Sequence, residues 1–419
     1  MKPATHESVA ALAERAAQGI SAGDGRAVLS PSVGAAPVVA FVDAMIREAI
    51  SMDASDIHIE PMKDRLRVRY RIDGALREAY GKLSLKLKDV LVSRLKIMAK
   101  LDTTERRVPQ DGRIAFATEN GTVDIRVSTM PVLLGETAVL RLLSGARRLL
   151  RLDELGFAPE NRRLFADWCS RPSGLILNCG PVNSGKTTTL YAALNELNTA
   201  DKNIVTIEDP VEYFLPGVNQ IQIGTDAKLT FARGVRSLMR QDFDVGMVGE
   251  IRDEETAEIA VRAAMTGRLL FSTLHTGTAA GAVFRMLDMG VKPYLLAAAL
   301  LGIMAQRLVR RLCPDCRETY EAGEEEKRFL AAHGCDAHRL FRPRGCEKCG
   351  GTGYRGRMAI HELLPANDEL RRAVSEERED LEAAAKAAGI VSLAEDGVKK
   401  AAAGDTTLAE VRRVVYGGL

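Results

Sequence analysis

The sequence has few of the features that mark proteins dedicated to nucleic acids. Among its 419 residues there is a single tryptophan, and aromatic residues make up only 5%. Platforms on which single-stranded bases stack depend on aromatic side chains, so such a platform is disfavoured. The net charge is only +2, from 58 basic and 56 acidic residues, which argues against a general binder of nucleic acid. We therefore expect no specific nucleic-acid partner.

Long apolar runs are also missing. A helix that spans a bilayer needs about 18 or more consecutive apolar residues, and the nearest approach, Tyr294–Ala305, has the length of a buried helix. The first 35 residues carry charged side chains and no apolar centre, so they do not predict a secretory signal. We expect a cytoplasmic protein that reaches the inner face of the cell membrane only through partners.

Changes in periodicity divide the chain into segments. The predicted segments are, in order, a flexible lead-in (1–36), an α+β domain (37–148), a linker (149–156), an α/β core (157–311), a cysteine-bearing segment (312–360) and a helical region (361–419). In the core, helices alternate with short apolar runs, which predicts a largely parallel sheet wound by βαβ units. Its candidate strands are 175–179, 204–207, 245–249 and 269–273.

The segment Gly180–Thr187 carries the clearest chemistry. It satisfies G-x-x-x-x-G-K-[ST] and lies between an apolar run and a helix-like run, so strand, glycine loop and helix follow in order. Such a loop holds phosphate oxygens with backbone N–H groups and the positive end of the helix, while the lysine bridges the outer phosphates and the threonine hydroxyl faces Mg²⁺. The sequence predicts an ATP site. The residues assigned to it are Gly180, Pro181, Val182, Asn183, Ser184, Gly185, Lys186, Thr187 and Thr188.

Acidic residues follow two further apolar runs of the core. Glu208 ends the run at 204–207, and Glu250 follows the run at 245–249. In an open α/β sheet the ligands bind beyond the carboxyl ends of the strands, so both acids are expected beside the glycine loop. One carboxylate orders Mg²⁺ and another positions water for attack on the γ-phosphate. His275, after a fourth run, is a candidate sensor of that phosphate, although a strand-end histidine is often only hydrogen-bonded.

Two C-x-x-C pairs lie in the segment 312–360. They are Cys313 with Cys316 and Cys346 with Cys349. Four thiolates suffice for one closed tetrahedral zinc site, and in a reducing compartment such pairs indicate metal ligands before disulfides. The gap between the pairs is longer than in common zinc ribbons, so free thiols or a disulfide hairpin stay as alternatives.

The blocks of the core resemble the Walker A, Asp box, Walker B and His box of the type II secretion and type IV pilus assembly ATPases. These blocks are Gly180–Tyr191, Ile204–Glu212, Met247–Asp253 and Ser272–Thr276. Three segments before them resemble the N-terminal domain of the same family. These segments are Ser55–Pro61, Pro109–Arg113 and Asp124–Pro131. The resemblance covers about residues 38–415 and implies a RecA-like P-loop ATPase core, a preceding α+β (PAS-like) domain, a small zinc-binding insertion and a helical C-terminus.

The resemblance also implies a function and further site residues. It implies a hexameric motor that hydrolyses ATP on the cytoplasmic face and drives assembly of pilus or pseudopilus fibres, in secretion, pilus extension or DNA uptake, together with a polytopic inner-membrane platform protein. Arg126 matches the family position from which an arginine approaches the phosphates, with Arg107 and Arg113 as further candidates. By the same carry-over, Thr187 and Glu250 hold Mg²⁺ and Glu208 positions water, and an exchange of roles between the two acids stays open because the sequence does not separate them. The catalytic set is Glu208, Glu250, Lys186, Arg126 and His275.

Several positions depart from the family pattern. Asn183 stands where glycine is usual, and asparagine tolerates a left-handed backbone better than most residues. Phe243 replaces a common proline, Gly246 a β-branched residue and Arg268 a histidine. Two alternative functions stay open at this point. They are a RecA-like nucleic-acid translocase and a ring scaffold that binds nucleotide without hydrolysing it.

Overall fold

In the computed structural model, the chain divides into two units, Met1–Arg148 and Leu149–Leu419. The structure describes residues 8–20, 35–119, 121–143, 149–224, 229–378, 380–387 and 389–417. Within these ranges, no helix combines the length and the apolar character that a membrane span requires.

The first unit is an antiparallel sheet with helices packed on one face. Its elements are α1 (Val9–Gln18), α2 (Ala35–Ser51), β1 (Asp56–Pro61), β2 (Leu66–Ile72), β3 (Ala75–Glu78), α3 (Leu87–Met98), β4 (Gln110–Thr118), β5 (Gly121–Val132) and β6 (Gly135–Leu143). The strands pair in the order β3-β2-β1-β6-β5-β4. This arrangement confirms the predicted α+β class.

Alternation along each strand decides which side chains face the helices. In β2, Val68 and Tyr70 are buried beneath α2 and α3, while Arg69 between them lies on the other face. The described residues of the predicted lead-in form α1 and the first two residues of α2, and Ala13 and Ala16 of α1 join the same core. Residues 1–7 and 21–34 lie outside the described residues, so the flexibility of the lead-in stays a prediction.

The second unit is built on a seven-stranded sheet. Its elements are α4 (Pro159–Cys169), β7 (Gly174–Cys179), α5 (Lys186–Leu197), β8 (Ile204–Glu208), β9 (Asn219–Gln222), α6 (Phe231–Leu238), β10 (Val245–Val248), α7 (Glu254–Ala264), β11 (Leu269–Leu274), α8 (Ala279–Asp288), α9 (Pro293–Ala299), β12 (Leu300–Leu312), β13 (Arg317–Glu321), α10 (Glu324–Ala332), β14 (Arg339–Pro343), β15 (Tyr354–Pro365), α11 (Asp368–Ser375), α12 (Leu381–Ala387), α13 (Leu393–Ala402) and α14 (Leu408–Tyr416).

The order of the large sheet is β15-β12-β7-β11-β10-β8-β9, and only β15 runs antiparallel to its neighbour. Helices cover both faces, so alternate residues of β7 enter different cores. Leu177 packs with α7 and α8, whereas Ile176 packs with α4 and α5. All four predicted core strands are present, as β7, β8, β10 and β11.

The prediction of one buried helix over Tyr294–Ala305 is wrong in its second half. The helix α9 ends at Ala299, and β12 begins at Leu300. From there the chain pairs with β7 on one side and β15 on the other. A long apolar run fits a doubly buried strand as well as a helix, and here tertiary pairing determines the outcome.

The cysteine-bearing segment connects β12 and β15, two neighbouring strands of the large sheet. It leaves after β12, forms the two-stranded sheet β13-β14 and returns as β15. The strand β15 crosses the predicted boundary between residues 360 and 361, because it belongs to the core sheet through its pairing with β12. The other predicted segment boundaries stay predictions.

Three residues that depart from the family pattern pack against one another. A Cβ atom at Gly246 would lie 2.8 Å from Phe243 Cε2 and 2.7 Å from Leu270 Cδ1. The guanidinium carbon of Arg268 lies 4.9 Å from the centre of the Phe243 ring. The phenyl ring therefore fills the space of the missing β-branched side chain and supports the arginine, so the three departures compensate for one another.

This packing predicts the effect of restoring a β-branched residue. Gly246→Val is expected to lower the thermal unfolding midpoint, with a cost of about 1–3 kcal/mol, because it overpacks the site against Phe243. In the double variant with Phe243→Ala, the loss should be smaller than the sum of the two single losses. Circular dichroism melts of the four proteins measure this coupling, and strictly additive shifts would contradict the proposed compensation.

Candidate functional site

The glycine loop joins β7 to α5, as the sequence predicts. Three of its residues have positive φ: Gly180 (155°), Asn183 (65°) and Gly185 (88°). The left-handed conformation of Asn183 agrees with the expectation that asparagine substitutes for glycine there. The helix α5 begins at Lys186, so its first N–H groups point into the loop, which is the arrangement that binds phosphate.

Within the loop, burial separates a solvent-facing rim from a buried base. Pro181, Val182 and Asn183 are exposed, while Ser184 and Lys186 are buried. The Lys186 ammonium donates to the carbonyl oxygens of Gly180 at 2.6 Å and Pro181 at 3.0 Å. Burial lowers the pKa of Lys186 to about 8. Thr187 and Thr188 are partly exposed in the first turn of α5.

The predicted acids and histidine lie at the same edge of the sheet as the loop. Parallel pairing aligns Val248 at the end of β10 with Ile207 on one side and Ser272 on the other. Glu250 follows β10, and His275 follows β11, with Nε2 of His275 3.3 Å from Glu250 Oε2. The carboxyl edge of the sheet therefore brings together the groups that the sequence assigns to one site.

The two candidate acids have different environments. Glu250 forms an ion pair with Arg252 and contacts His275. Although burial opposes ionisation, these cationic and hydrogen-bonding partners hold the pKa of Glu250 below its usual value. Its negative charge acts on Lys186 and favours the ammonium form. Glu250 is thus an ionised carboxylate near the lysine of the loop.

Glu208 is instead enclosed against α5. Its side chain is buried and accepts hydrogen bonds from the hydroxyls of Tyr191 and Thr206, the latter at 2.6 Å, and from Gln220 Nε2 at 3.2 Å. Burial raises the pKa of Glu208 despite these donors. The sequence indicates that Glu208 ends a strand, but it does not indicate the tyrosine from α5 that holds the carboxylate.

The three candidate arginines belong to the first unit. Arg126 on β5 lies directly opposite Arg113 on β4, and on its other side it faces Arg141 on β6. Arg107 precedes β4 and pairs with Glu105 at 3.4 Å. The approach of any of them to the glycine loop stays a prediction. Arg141 was not identified from the sequence, although the alternation along β6 is the signal that places it on this face.

Arg268 lies at the other end of β11 from His275. It precedes the first residue of the strand, so the six residues of β11 lie between the two positions and place them about 23 Å apart. The position at which the family carries a histidine is therefore remote from the glycine loop, and its replacement leaves the loop and its acids intact.

The four cysteines of the two C-x-x-C pairs converge, because the turns at Cys313–Cys316 and Cys346–Cys349 face each other. Their Sγ atoms all lie within 4.8 Å of one another. Three of the Sγ–Sγ distances are 3.7, 3.8 and 3.9 Å, which matches the roughly 3.8 Å edge of a tetrahedron with metal–sulfur bonds of about 2.3 Å. A disulfide hairpin is not formed. Backbone N–H groups of Cys346 and Gly353 point at Cys349 Sγ and, against the effect of burial, hold the pKa of that thiol below its usual value.

Comparisons with known proteins agree with this arrangement. A sequence model of the family described as "Type II/IV secretion system protein" matches residues 32–413. The type II secretion system ATPase E of Vibrio cholerae is 50% identical over 380 residues, covering 90% of this chain and 75% of that protein. The type II secretion system protein HxcR of Pseudomonas aeruginosa is 49% identical over 381 residues, covering 90% of this chain and 77% of that protein.

Solved structures share the fold. The pilus retraction motor PilT with bound ADP aligns with a TM-score of 0.59 and 27% identity, over 89% of this chain and 96% of PilT. The ATPase DotB of Legionella pneumophila aligns with a TM-score of 0.66 and 20% identity, over 90% of this chain and 96% of DotB. At that identity the match to DotB concerns the fold alone.

Proposed function

The chain belongs to the Type II/IV secretion system protein family, and from this premise we propose that it is an ATP-hydrolysing motor that powers assembly of pilus or pseudopilus fibres. The observation that carries the proposal is the placement of Lys186 at the start of α5, with the ionised Glu250 at the same edge of the sheet. Among the possible machines, type II secretion is favoured by the relatives of about half-identical sequence.

We assign each of these residues at the carboxyl edge of the sheet a proposed role in ATP binding or hydrolysis. The loop N–H groups and Lys186 bind the phosphates, and Thr187 with Glu250 would hold Mg²⁺, which when bound neutralises charge on the phosphate oxygens. Burial raises the pKa of Glu208 above its usual value, which makes this carboxylate a better acceptor for a proton from attacking water. The hydrogen bond between His275 and Glu250 supports a role for the histidine in orienting that carboxylate.

The assembly around this site is also proposed. Arg126, with Arg107 and Arg113, approaches the phosphates from the α+β domain, where a planar cation answers the charge of the transferring group. We further propose a homo-hexamer that acts on the cytoplasmic side and meets the inner membrane through a polytopic platform protein. The names of the secretion-system relatives support this assignment.

The two alternative functions lose their support. The non-catalytic scaffold was motivated by Arg268 and Gly246, which pack with Phe243 away from the glycine loop. A nucleic-acid translocase would need an aromatic or basic platform, and the near-neutral composition with one tryptophan does not favour it.

Substitutions at the site test the motor directly. Lys186→Ala and Glu250→Gln are each expected to lower kcat for ATP by at least about 100-fold, because they remove charges that act on the phosphates and the metal. Glu258→Gln, an exposed glutamate on α7 that pairs only with Arg262 in the described part of the chain, is the matched control. Phosphate release measures turnover, and a Lys186→Ala protein as active as the control would refute the assignment.

The lowered pKa of Lys186 predicts a pH dependence of nucleotide binding. In the free protein this lysine loses its proton above about pH 8, whereas bound phosphates favour the charged form. The Kd for ATPγS with Mg²⁺ should therefore rise from about pH 7.5 to about pH 9.5, by up to about tenfold per pH unit above the free pKa. Calorimetric titration measures it. Lys186→Arg should remove the dependence, and a flat wild-type profile would contradict the prediction.

We propose that the four-cysteine cluster binds zinc. The purified protein should contain about one zinc ion per chain by elemental analysis, since a closed tetrahedral site has four ligands. Cys349→Ser should lose the metal and lower the unfolding midpoint. Cys335→Ser is the control, because Cys335 lies between the two pairs in sequence but outside the cluster. Full metal content in Cys349→Ser would rule out the site.

A further inference from the structure

The glycine loop is braced from beneath by a residue of a neighbouring strand. Gln306 lies on β12, which runs parallel to β7 with Ala305 opposite Cys179, so Gln306 comes next to Gly180 at the start of the loop. Its side chain is fully buried, with 1% relative exposure. Gln306 is distant in sequence from the loop and has no place among the acids and basic residues of the site.

Both polar atoms of the Gln306 side-chain amide form hydrogen bonds. Nε2 donates to the carbonyl oxygen of Ser184 at 2.9 Å, and Oε1 accepts from the Thr189 hydroxyl at 2.8 Å. Ser184 lies in the loop and Thr189 in the first turn of α5, so the amide ties the two together. This position requires one donor and one acceptor on a single planar group, a requirement that glutamine meets and leucine or glutamate does not.

Two glycines of the loop lie so close to Gln306 that a side chain at either position would collide with it. A Cβ atom at Gly180 would lie 2.6 Å from the carbonyl oxygen of Gln306, and one at Gly185 would lie 2.8 Å from its Nε2. Two of the glycines that define the phosphate loop are thus in contact with one glutamine, and loop and strand form a single packed unit.

We propose that Gln306 is a positioning residue of the nucleotide site, whose amide fixes the glycine loop in the conformation that receives the triphosphate. The inference rests on the proposed function, and it adds a component to the ATP site. Backbone N–H groups bind phosphate only when they converge, and convergence requires that the loop carbonyls, here that of Ser184, be turned away and held. Gln306 holds that carbonyl.

The test compares nucleotide affinity with folding. In Gln306→Leu, the Kd for ATPγS with Mg²⁺ should rise at least about tenfold, the scale of a lost pair of buried hydrogen bonds, and KM for ATP should rise more than kcat falls. Gln306→Glu should bind still more weakly, because a carboxylate oxygen would face the Ser184 carbonyl. The unfolding midpoint without nucleotide reports separately on the fold.

A control variant on the paired strand β15 distinguishes a specific effect on the glycine loop from a general loss of packing around β12. His361 on β15 pairs with Gln306 in register, is fully buried and stacks on Phe157 with ring centres 3.9 Å apart. His361→Leu perturbs the same strand pair without touching the loop and should bind ATPγS as the wild type does. Equal loss of affinity in His361→Leu and Gln306→Leu would overturn the proposal, as would binding by Gln306→Leu within about twofold of wild type.

A milder variant covers the case in which Gln306→Leu does not fold. Thr189→Val keeps the shape of the side chain and removes the hydroxyl, which donates to Gln306 Oε1 at 2.8 Å and lies farther, at 3.4 Å, from the Gly185 carbonyl oxygen. The same loss is therefore expected on a smaller scale, about threefold. Unchanged affinity in a folded Thr189→Val protein would overturn the proposal. Absence of nucleotide binding in the wild type would instead refute the proposed function, so the two failures are distinguishable.

Discussion

The parallel pairing of β7 with β11 and β12 is the constraint on which the site depends. The glycine loop extends from β7, and a strand on each side fixes where that loop begins. The same alignment, carried outward through β10 and β8, brings Glu250 and Glu208 to the edge where the loop ends. Helices on both faces bury the sheet, so its edge is a rigid base for side chains that must act together.

The environments of the two acids explain how similar carboxylates can differ in role. Glu250 pairs with Arg252 and stays charged, whereas Glu208 lies in an enclosed pocket with Tyr191. Burial raises the pKa of Glu208, whereas Arg252 and His275 outweigh burial and lower the pKa of Glu250. Under the proposed function, these opposite shifts suit proton transfer and metal binding, respectively. The chain thus distinguishes the two acids through their surroundings.

Local patterns allowed much of this to be predicted. The glycine loop, the strands that end in acidic residues and the two C-x-x-C pairs are each recognisable as short sequence motifs. The structure places the loop and the acids at one edge of the sheet and the four cysteines in one cluster. The strand β12 was not predicted, because its apolar first half resembles the end of a buried helix and its pairing partner β15 lies far along the chain. Gln306 and Tyr191 were missed for the same reason, since their contacts join elements distant in sequence. The packing at Gly246 and Phe243 was missed because it depends on Leu270 and Arg268, which the neighbouring strand β11 brings to this place.

The pairing of β12 with β15 has a consequence for the cysteine-bearing segment that connects them. Its two cysteine turns lie directly after β12 and shortly before β15. A metal ion bound there would therefore cross-link the two ends of this long connection. The entropy of closing such a loop grows only slowly with its length. Beyond the cysteine turns, Leu330 and Leu340 pack with Val398 of α13 and Leu408 of α14. Only the connections outside this cluster can therefore be lengthened, shortened or exchanged with little effect on the nucleotide-binding sheet.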